Sequence, residues 1–325
     1  MIAMFERLSR PLFRLVPDNT HIPFMRGRIA GLAFSALLSV ASVVLAITPG
    51  LEKGIDFKGG ITMEVRTPGP ADLPTIRTAL ARLPFGDVGV QQFGDPTTLL
   101  LRLPTQGEEA QTQAAVAATR STIEQVAPGV RILRVEAVGN RVSDELFQGG
   151  MIALGLSLLA MMLYIWFRFE WQFGVGAVVT LILEVTKVIG FLAVTRIEFN
   201  LTTVAAVLTI VGFSVNDKVV VYDRMRENLR RFKTMPLREL IDRSINETLN
   251  RTLGTSMTLL LAALPLALFG GDTLAGFAWC MLFGIVISAS SSIFIAAPIL
   301  LFLGENRLRR GTEAVAAPVK AAPRT

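Results

Sequence analysis

The 325-residue chain has one cysteine and one histidine. Cys280 lies within an apolar run, so it offers neither a disulfide framework nor a CxxC metal site. His21 precedes every long apolar run, which leaves the rest of the chain without the imidazole that a Ser/His/Asp constellation or a histidine metal centre needs. Charge is scarce too, at 18% of residues, against about 25% in a soluble domain. The single cysteine excludes a secreted disulfide scaffold; the low charge, together with the long apolar runs it leaves, excludes a soluble enzyme and a disordered chain.

What the chain does have is apolar sequence: 51% of residues are hydrophobic and the mean hydropathy is +0.52. Charge-free runs cover Ile29–Leu51, Leu146–Phe167, Phe199–Asn216, Thr252–Gly271 and Thr273–Gly304. A further pair, Trp171–Leu183 and Val188–Thr195, is broken only around Glu184 and Lys187. A bilayer-spanning helix needs about 20 apolar residues, so the pattern predicts six spans. The first run is too long, and begins too far into the chain, for a signal-peptide core, which predicts an uncleaved first helix.

Charge sets the orientation. Residues 1–28, 222–251 and 305–325 each have a net charge of +3, whereas 52–145 holds ten basic and twelve acidic side chains. Short basic segments stay cytoplasmic and long domains translocate largely regardless of charge. The expected layout is a cytoplasmic N-terminus (1–28), a first span (29–51), an extracytoplasmic domain (52–145), spans two to six (146–304) with a cytoplasmic loop (222–250), and a cytoplasmic disordered tail (305–325). The basic balance reads as this topology signal, not as nucleic-acid binding.

Within 52–145, period-two alternation marks strands at Ile61–Thr67, Gly89–Phe93, Thr97–Leu103 and Val130–Val138. Helical spacing marks Asp72–Leu83, with Asp72 as N-cap, and Glu108–Val126. The order β-α-β-β-α-β is the ferredoxin-like plan. The fold class expected is therefore a polytopic α-helical membrane protein of six transmembrane helices, with one ferredoxin-like α+β domain between helices 1 and 2. That domain holds no catalytic set and no metal-ligand cluster; it reads either as a docking module or as a steric lid.

An ionisable side chain in a bilayer costs at least about 2.5–3.5 kcal/mol, so each one needs a reason. Asp217 ends the fourth apolar run and Arg251 opens the fifth. The two lie at similar depth and are expected to face each other, either exchanging a proton or locking the helices. Lys218, about 100° round the helix from Asp217, is expected to snorkel to the cytoplasm. Asn216 is expected to hydrogen-bond a neighbouring helix. Glu184 and Lys187, three apart, read as a self-neutralised pair, or Glu184 as a second proton-handling carboxylate. Small residues every four positions (Gly276, Cys280, Gly284, Ser288, Ser292, Ala296) are expected to let the sixth helix pack closely, and Pro265 to kink the fifth. In the loop, Leu237, Leu240, Ile241, Ile245 and Leu249 share a helical face, the pattern of an amphipathic helix on the inner membrane surface.

Three stretches resemble one family. Gly54-Ile55-Asp56-Phe57-Lys58-Gly59-Gly60 resembles the motif that follows the first span in SecD and SecF proteins. Gly212–Asp217 with Val219–Asn228 resembles the fourth helix of the SecF branch and its cytoplasmic exit. Asn250–Ser256 resembles the start of its fifth helix. The resemblance covers roughly residues 26–304. It implies a membrane component of the bacterial protein-export machinery, similar to resistance-nodulation-division transporters, in the inner membrane with both termini cytoplasmic. It also implies a SecD partner supplying a second six-helix half, the SecYEG channel and an unfolded preprotein as further partners, YajC-type small subunits as candidates, and the proton gradient in place of any cofactor. In that frame Asp217 matches the proton-carrying aspartate and Arg251 its arginine. Lys218 stands where a small hydroxyl residue is common, and Leu183 where a histidine often precedes the third-helix acid. The rival readings are a half-transporter exporting a lipid or small molecule, and a non-transporting scaffold that only stabilises the channel.

Overall fold

The computed structural model describes residues 16–17, 20–48, 50–86, 88–92, 95–104, 106 and 109–303. The expected tail at 305–325 and most of the N-terminal segment lie outside them. Among the described residues six helices are long and apolar enough to span a membrane: Arg28–Ile47, Asn140–Arg168, Trp171–Thr195, Leu201–Arg231, Leu237–Phe269 and Leu274–Leu303. The third, fourth and sixth spans bury half or more of their apolar windows and form the inner layer; the first, second and fifth are mostly outward-facing.

The sixth span packs through its small residues. Cys280, Ser288, Ser292 and Ala296 are fully buried, and a Cβ on Gly284 would collide with Ile210 of the fourth span. This helix widens to a π turn at Ser292–Ala296. Pro298, just beyond, has no N–H for the Phe294 carbonyl, and a π turn absorbs such a mismatch. The fifth span runs through Pro265 as one helix.

The connection between the fourth and fifth spans departs from expectation. The fourth span continues as a helix to Arg231 and the fifth begins at Leu237, so the two form a long antiparallel hairpin. Leu237, Leu240, Ile241, Ile245 and Leu249 are buried against protein, where a membrane-surface helix would present them to lipid. The Asn228 side chain donates to Ser244 Oγ (3.0 Å) across the hairpin. On the other side, Asp242 accepts from the Met25 backbone (2.8 Å) and Asn246 brackets Ile22 with two hydrogen bonds. The amphipathic pattern is genuine, but its apolar face is covered by neighbouring chain.

The outer domain has strands β1 (Gly60–Arg66), β2 (Gly89–Gln92), β3 (Thr98–Leu103) and β4 (Arg131–Val138), with helices Leu73–Leu80 and Glu109–Val126. The all-antiparallel order β2-β3-β1-β4 is that of the ferredoxin-like plan. Asp72 caps the first of these helices, accepting from Thr75. One sheet face (Ile61, Met63, Val65, Leu99, Leu101, Leu103) packs on Ile76, Leu80 and Ile123 to make a core of its own.

The opposite sheet face looks onto the span ends across a cavity of about 740 Å³ lined by Glu64, Arg102, Glu136, Arg196 and Glu198 among others. Arg102 of β3 pairs with Glu198, in the loop between the third and fourth spans. Burial pushes the Glu198 carboxyl above its ordinary 4.5, and Arg102 only partly offsets this.

Residues 54–60 form a clasp between domain and spans. Ile55–Lys58 is a single helical turn. The Gly54 N–H donates to the Phe199 carbonyl (3.0 Å), and Phe199 N–H to that of Glu52 (2.7 Å). Asp56 Oδ2 accepts from the Leu201 N–H (3.0 Å), the first residue of the fourth span. Here a carboxylate meets the positive end of the helix. Phe57 is buried between Phe147 and Phe199, with ring centroids at 5.4 and 5.3 Å. Gly59 sits at φ 70°, ψ 170°, a region essentially reserved for glycine. Gly60 sits at φ 126°, where a Cβ would lie 2.7 Å from the Leu103 carbonyl oxygen.

Two predictions follow from this geometry. Gly59→Ala or Gly60→Ala loosens the outer domain by about 1–3 kcal/mol. Gly69→Ala, which meets open space, changes it by less than about 0.5 kcal/mol; hydrogen exchange on the full chain reads both. Because the folded pKa of Glu198 is raised, its contribution to stability is fully present below 4.5 and is lost as pH rises through the folded value. Thermal melts across that window should show this slope in the wild type and a flatter one in Glu198→Gln.

Candidate functional site

The chemistry sits where the inner three spans meet. Ser214 and Lys218, four apart on the fourth span, face the third span; Asp217, about 100° round the helix from Lys218, faces the fifth and sixth. All three are buried, as is Glu184 of the third span. Because the fourth helix is flanked on several sides, neighbouring residues on it can serve different partners.

Lys218 does not snorkel. Its ammonium lies 2.8 Å from Glu184 Oε1, with 1% and 2% side-chain exposure for the two partners. It also donates to Ser214 Oγ. Glu184 is surrounded further: the Ser214 hydroxyl donates to Oε2 and the Ser291 hydroxyl to Oε1. The expected Glu184–Lys187 pair is absent from the ion pairs of the described residues. Lys187 instead donates to Ser35 Oγ of the first span (2.7 Å). Residues three apart on a helix diverge by about 60°, enough for these two to address different helices.

Asp217 is 3% exposed. The side chains of Ser292, at the start of the π turn, and Thr252 of the fifth span lie against its carboxylate. Its Oδ2 has no hydrogen-bond partner among the described residues, and neither do the buried hydroxyls of Thr252, Ser256 and Ser288. The third, fourth, fifth and sixth spans thus enclose a satisfied ion pair and an adjacent carboxylate with free acceptor capacity.

The expected Asp217–Arg251 contact does not form. Arg251 is exposed and makes no ion pair among the described residues, and Asn216 is exposed as well. Thr252, one position on, occupies the face that Arg251 was expected to take. The motif residues Gly54, Asp56, Phe57, Gly59 and Gly60 lie at the outer end, some 16 residues from Asp217 along the fourth span, or about 24 Å. Ser214, Ser291, Ser35 and Thr252 were not singled out from sequence. The available signal was that each is polar in an apolar run, but hydroxyls satisfy themselves within a helix often enough that the signal is weak.

Residues 118–306 match the family model described as protein export membrane protein SecD/SecF, C-terminal, and residues 44–67 the SecD/SecF GG motif. The chain is 41% identical over 307 residues to the protein translocase subunit SecF of Rhodobacter capsulatus, covering 90% of this chain and 92% of that protein. It is 41% identical to the same-named subunit of Rickettsia bellii, covering 91% and 98%. The protein translocase subunit SecDF of Brucella abortus is 42% identical over 313 residues, which cover 94% of this chain and 41% of the relative. Among solved structures, SecDF of Thermus thermophilus superposes with a TM-score of 0.81 at 31% identity, covering 92% of this chain. The chain spans only 41% of that SecDF chain. By these matches the chain belongs to the SecD/SecF family of protein-export membrane proteins, as a SecF-type, multi-pass member.

Proposed function

We propose that this Sec protein-export subunit couples proton flow to the movement of preproteins, with Asp217 as the proton carrier. The observation behind this reading is the Asp217 Oδ2, buried among the spans without a hydrogen-bond partner while the neighbouring Glu184 is already engaged by Lys218, Ser214 and Ser291. A carboxylate oxygen with free acceptor capacity can take a proton, and the open hydroxyls of Thr252, Ser256 and Ser288 provide polar ground beside it. Lys218 and Glu184 hold a fixed dipole next to the carrier, and Arg251 acts on it only when the helices shift. A proton falling through about 100 mV releases about 2.3 kcal/mol, enough to bias a two-state movement of the outer domain substantially.

The same reading requires a partner. Arg251 and Asn216 are bare on the single chain, next in sequence to two residues buried at the site. An arginine left to lipid at that depth is costly, so a second helical half covers it. SecDF relatives, in which this chain matches 41% of the length, support a SecD-type subunit in that place. On this proposal the pair works in the bacterial inner membrane with both termini cytoplasmic. It acts on an unfolded preprotein emerging from the SecYEG channel, and YajC-type subunits are further candidates. No bound cofactor is invoked; the gradient is the energy source.

In membrane vesicles containing the whole complex, Asp217→Asn should abolish gradient-dependent late translocation while leaving ATP-driven insertion intact. Unchanged gradient dependence overturns the assignment. Removing one partner of the buried pair should be costly: Lys218→Met lowers stability by about 3–5 kcal/mol. Lys218→Met combined with Glu184→Gln should recover much of that loss. Thermal melts of the detergent-solubilised chain close the double-mutant cycle.

A further inference from the structure

At the cytoplasmic end of the bundle, away from Asp217, a cavity of about 580 Å³ is lined by Arg168, Asp223, Arg226, Glu227, Arg230 and Arg231. Four arginines face two carboxylates there, and only Asp223 is spent inside the cavity, on Arg168 and Arg226. Asp223 pairs with Arg168 (3.2 Å) and lies 4.0 Å from Arg226. Glu227 pairs with Arg224, outside the cavity, at 2.6 Å. Arg230 and Arg231 make no ion pair among the described residues. Arg226 Nε is buried without a hydrogen-bond partner, and its nearest approach to Glu170 is a loose 3.9 Å. Glu170, beneath the cluster, has no hydrogen-bond partner on either oxygen, and burial raises its carboxyl above the ordinary range against the pull of Arg226 and Arg230.

The cavity also sits at a definite depth. Tyr164, Trp166 and Trp171 are exposed by 53%, 53% and 43% within one to two turns of Arg168, and exposed Trp and Tyr mark the headgroup layer. The Arg168 and Arg226 guanidiniums lie over the Phe169 ring at 5.1 and 5.8 Å, which holds both side chains toward the cavity. Under-paired guanidiniums at headgroup depth match the planar, forked recognition that arginine gives a phosphate.

We propose that this cavity binds a phosphate group through Arg226, Arg230 and Arg231, supplied by the headgroup of an anionic phospholipid or by soluble phosphate. Its depth favours the lipid. The bound phosphate neutralises the excess charge at the junction of the second and third spans and the exit of the fourth. It thereby fixes how the helix bearing Asp217 leaves the membrane.

The test uses the full chain in detergent, titrated in separate arms with phosphatidylglycerol, phosphatidylcholine and inorganic phosphate, with bound species read by native mass spectrometry. The wild type should retain phosphatidylglycerol over phosphatidylcholine. Arg230→Gln/Arg231→Gln, both exposed, should bind it about 30-fold more weakly, each arginine near an anionic surface being worth about a factor of five. Arg238→Gln, exposed but outside the cavity, should match the wild type. Arginine-dependent binding of inorganic phosphate without lipid preference assigns the cavity to the soluble anion. Equal binding of all probes by wild type and double variant overturns the proposal.

Discussion

A charge placed inside an apolar slab has to be answered by a partner from another helix, and here Lys218 answers Glu184 at 2.8 Å. That requirement organises the bundle. It draws the third and fourth spans together, recruits Ser291 of the sixth through a hydroxyl, and leaves the first, second and fifth spans as an outer layer. The small-residue stripe of the sixth span supports the arrangement, because Gly284 lets Ile210 approach closely enough for the serines to reach the acid. Asp217 gains its character by contrast. It shares the same helix and the same burial, yet its Oδ2 is left unmatched.

The fourth span joins this cluster to the outer domain. Its first N–H is held by Asp56, its capping box is closed by Asn200 and Thr203, and Asp217 lies about four and a half turns further in. The clasp at 54–60 fixes the domain's first strand to that same helix end, and Arg102 with Glu198 adds a second attachment. The end of the fourth helix and the domain are therefore joined by direct hydrogen bonds and an ion pair. At the other end the hairpin with the fifth span extends this unit beyond the apolar runs, where Arg224 and Glu247 pair across it at 2.7 Å.

Much of this was legible beforehand, for identifiable reasons. The spans follow from apolar length alone. The outer domain follows from alternation and turn chemistry, with Asp72 capping the helix it was expected to cap and the strands falling within a residue or so of their expected limits. Periodicity identified the apolar face at Leu237–Leu249 correctly but could not say what covers it, because protein and lipid impose the same pattern. Lys218 was misplaced for a related reason. An angular argument separates it from Asp217, but only the packing reveals that a third helix waits on its side. Arg251 and Thr252 show the limit at its finest, since one residue of rotation decides which of them meets the carboxylate.

The sequence by itself determined how many times the chain crosses the membrane, which segments form the α+β domain, and which few ionisable groups had to be explained, because hydropathy and period-two or period-3.6 patterns are local properties of a chain. Tertiary structure alone decided the pairings: Glu184 with Lys218, Lys187 with Ser35, Asp217 beside Thr252 and Ser292, and the glycine clasp on the end of the fourth helix. The cost of a buried charge depends on side chains tens or hundreds of residues away, and no local pattern encodes their distance.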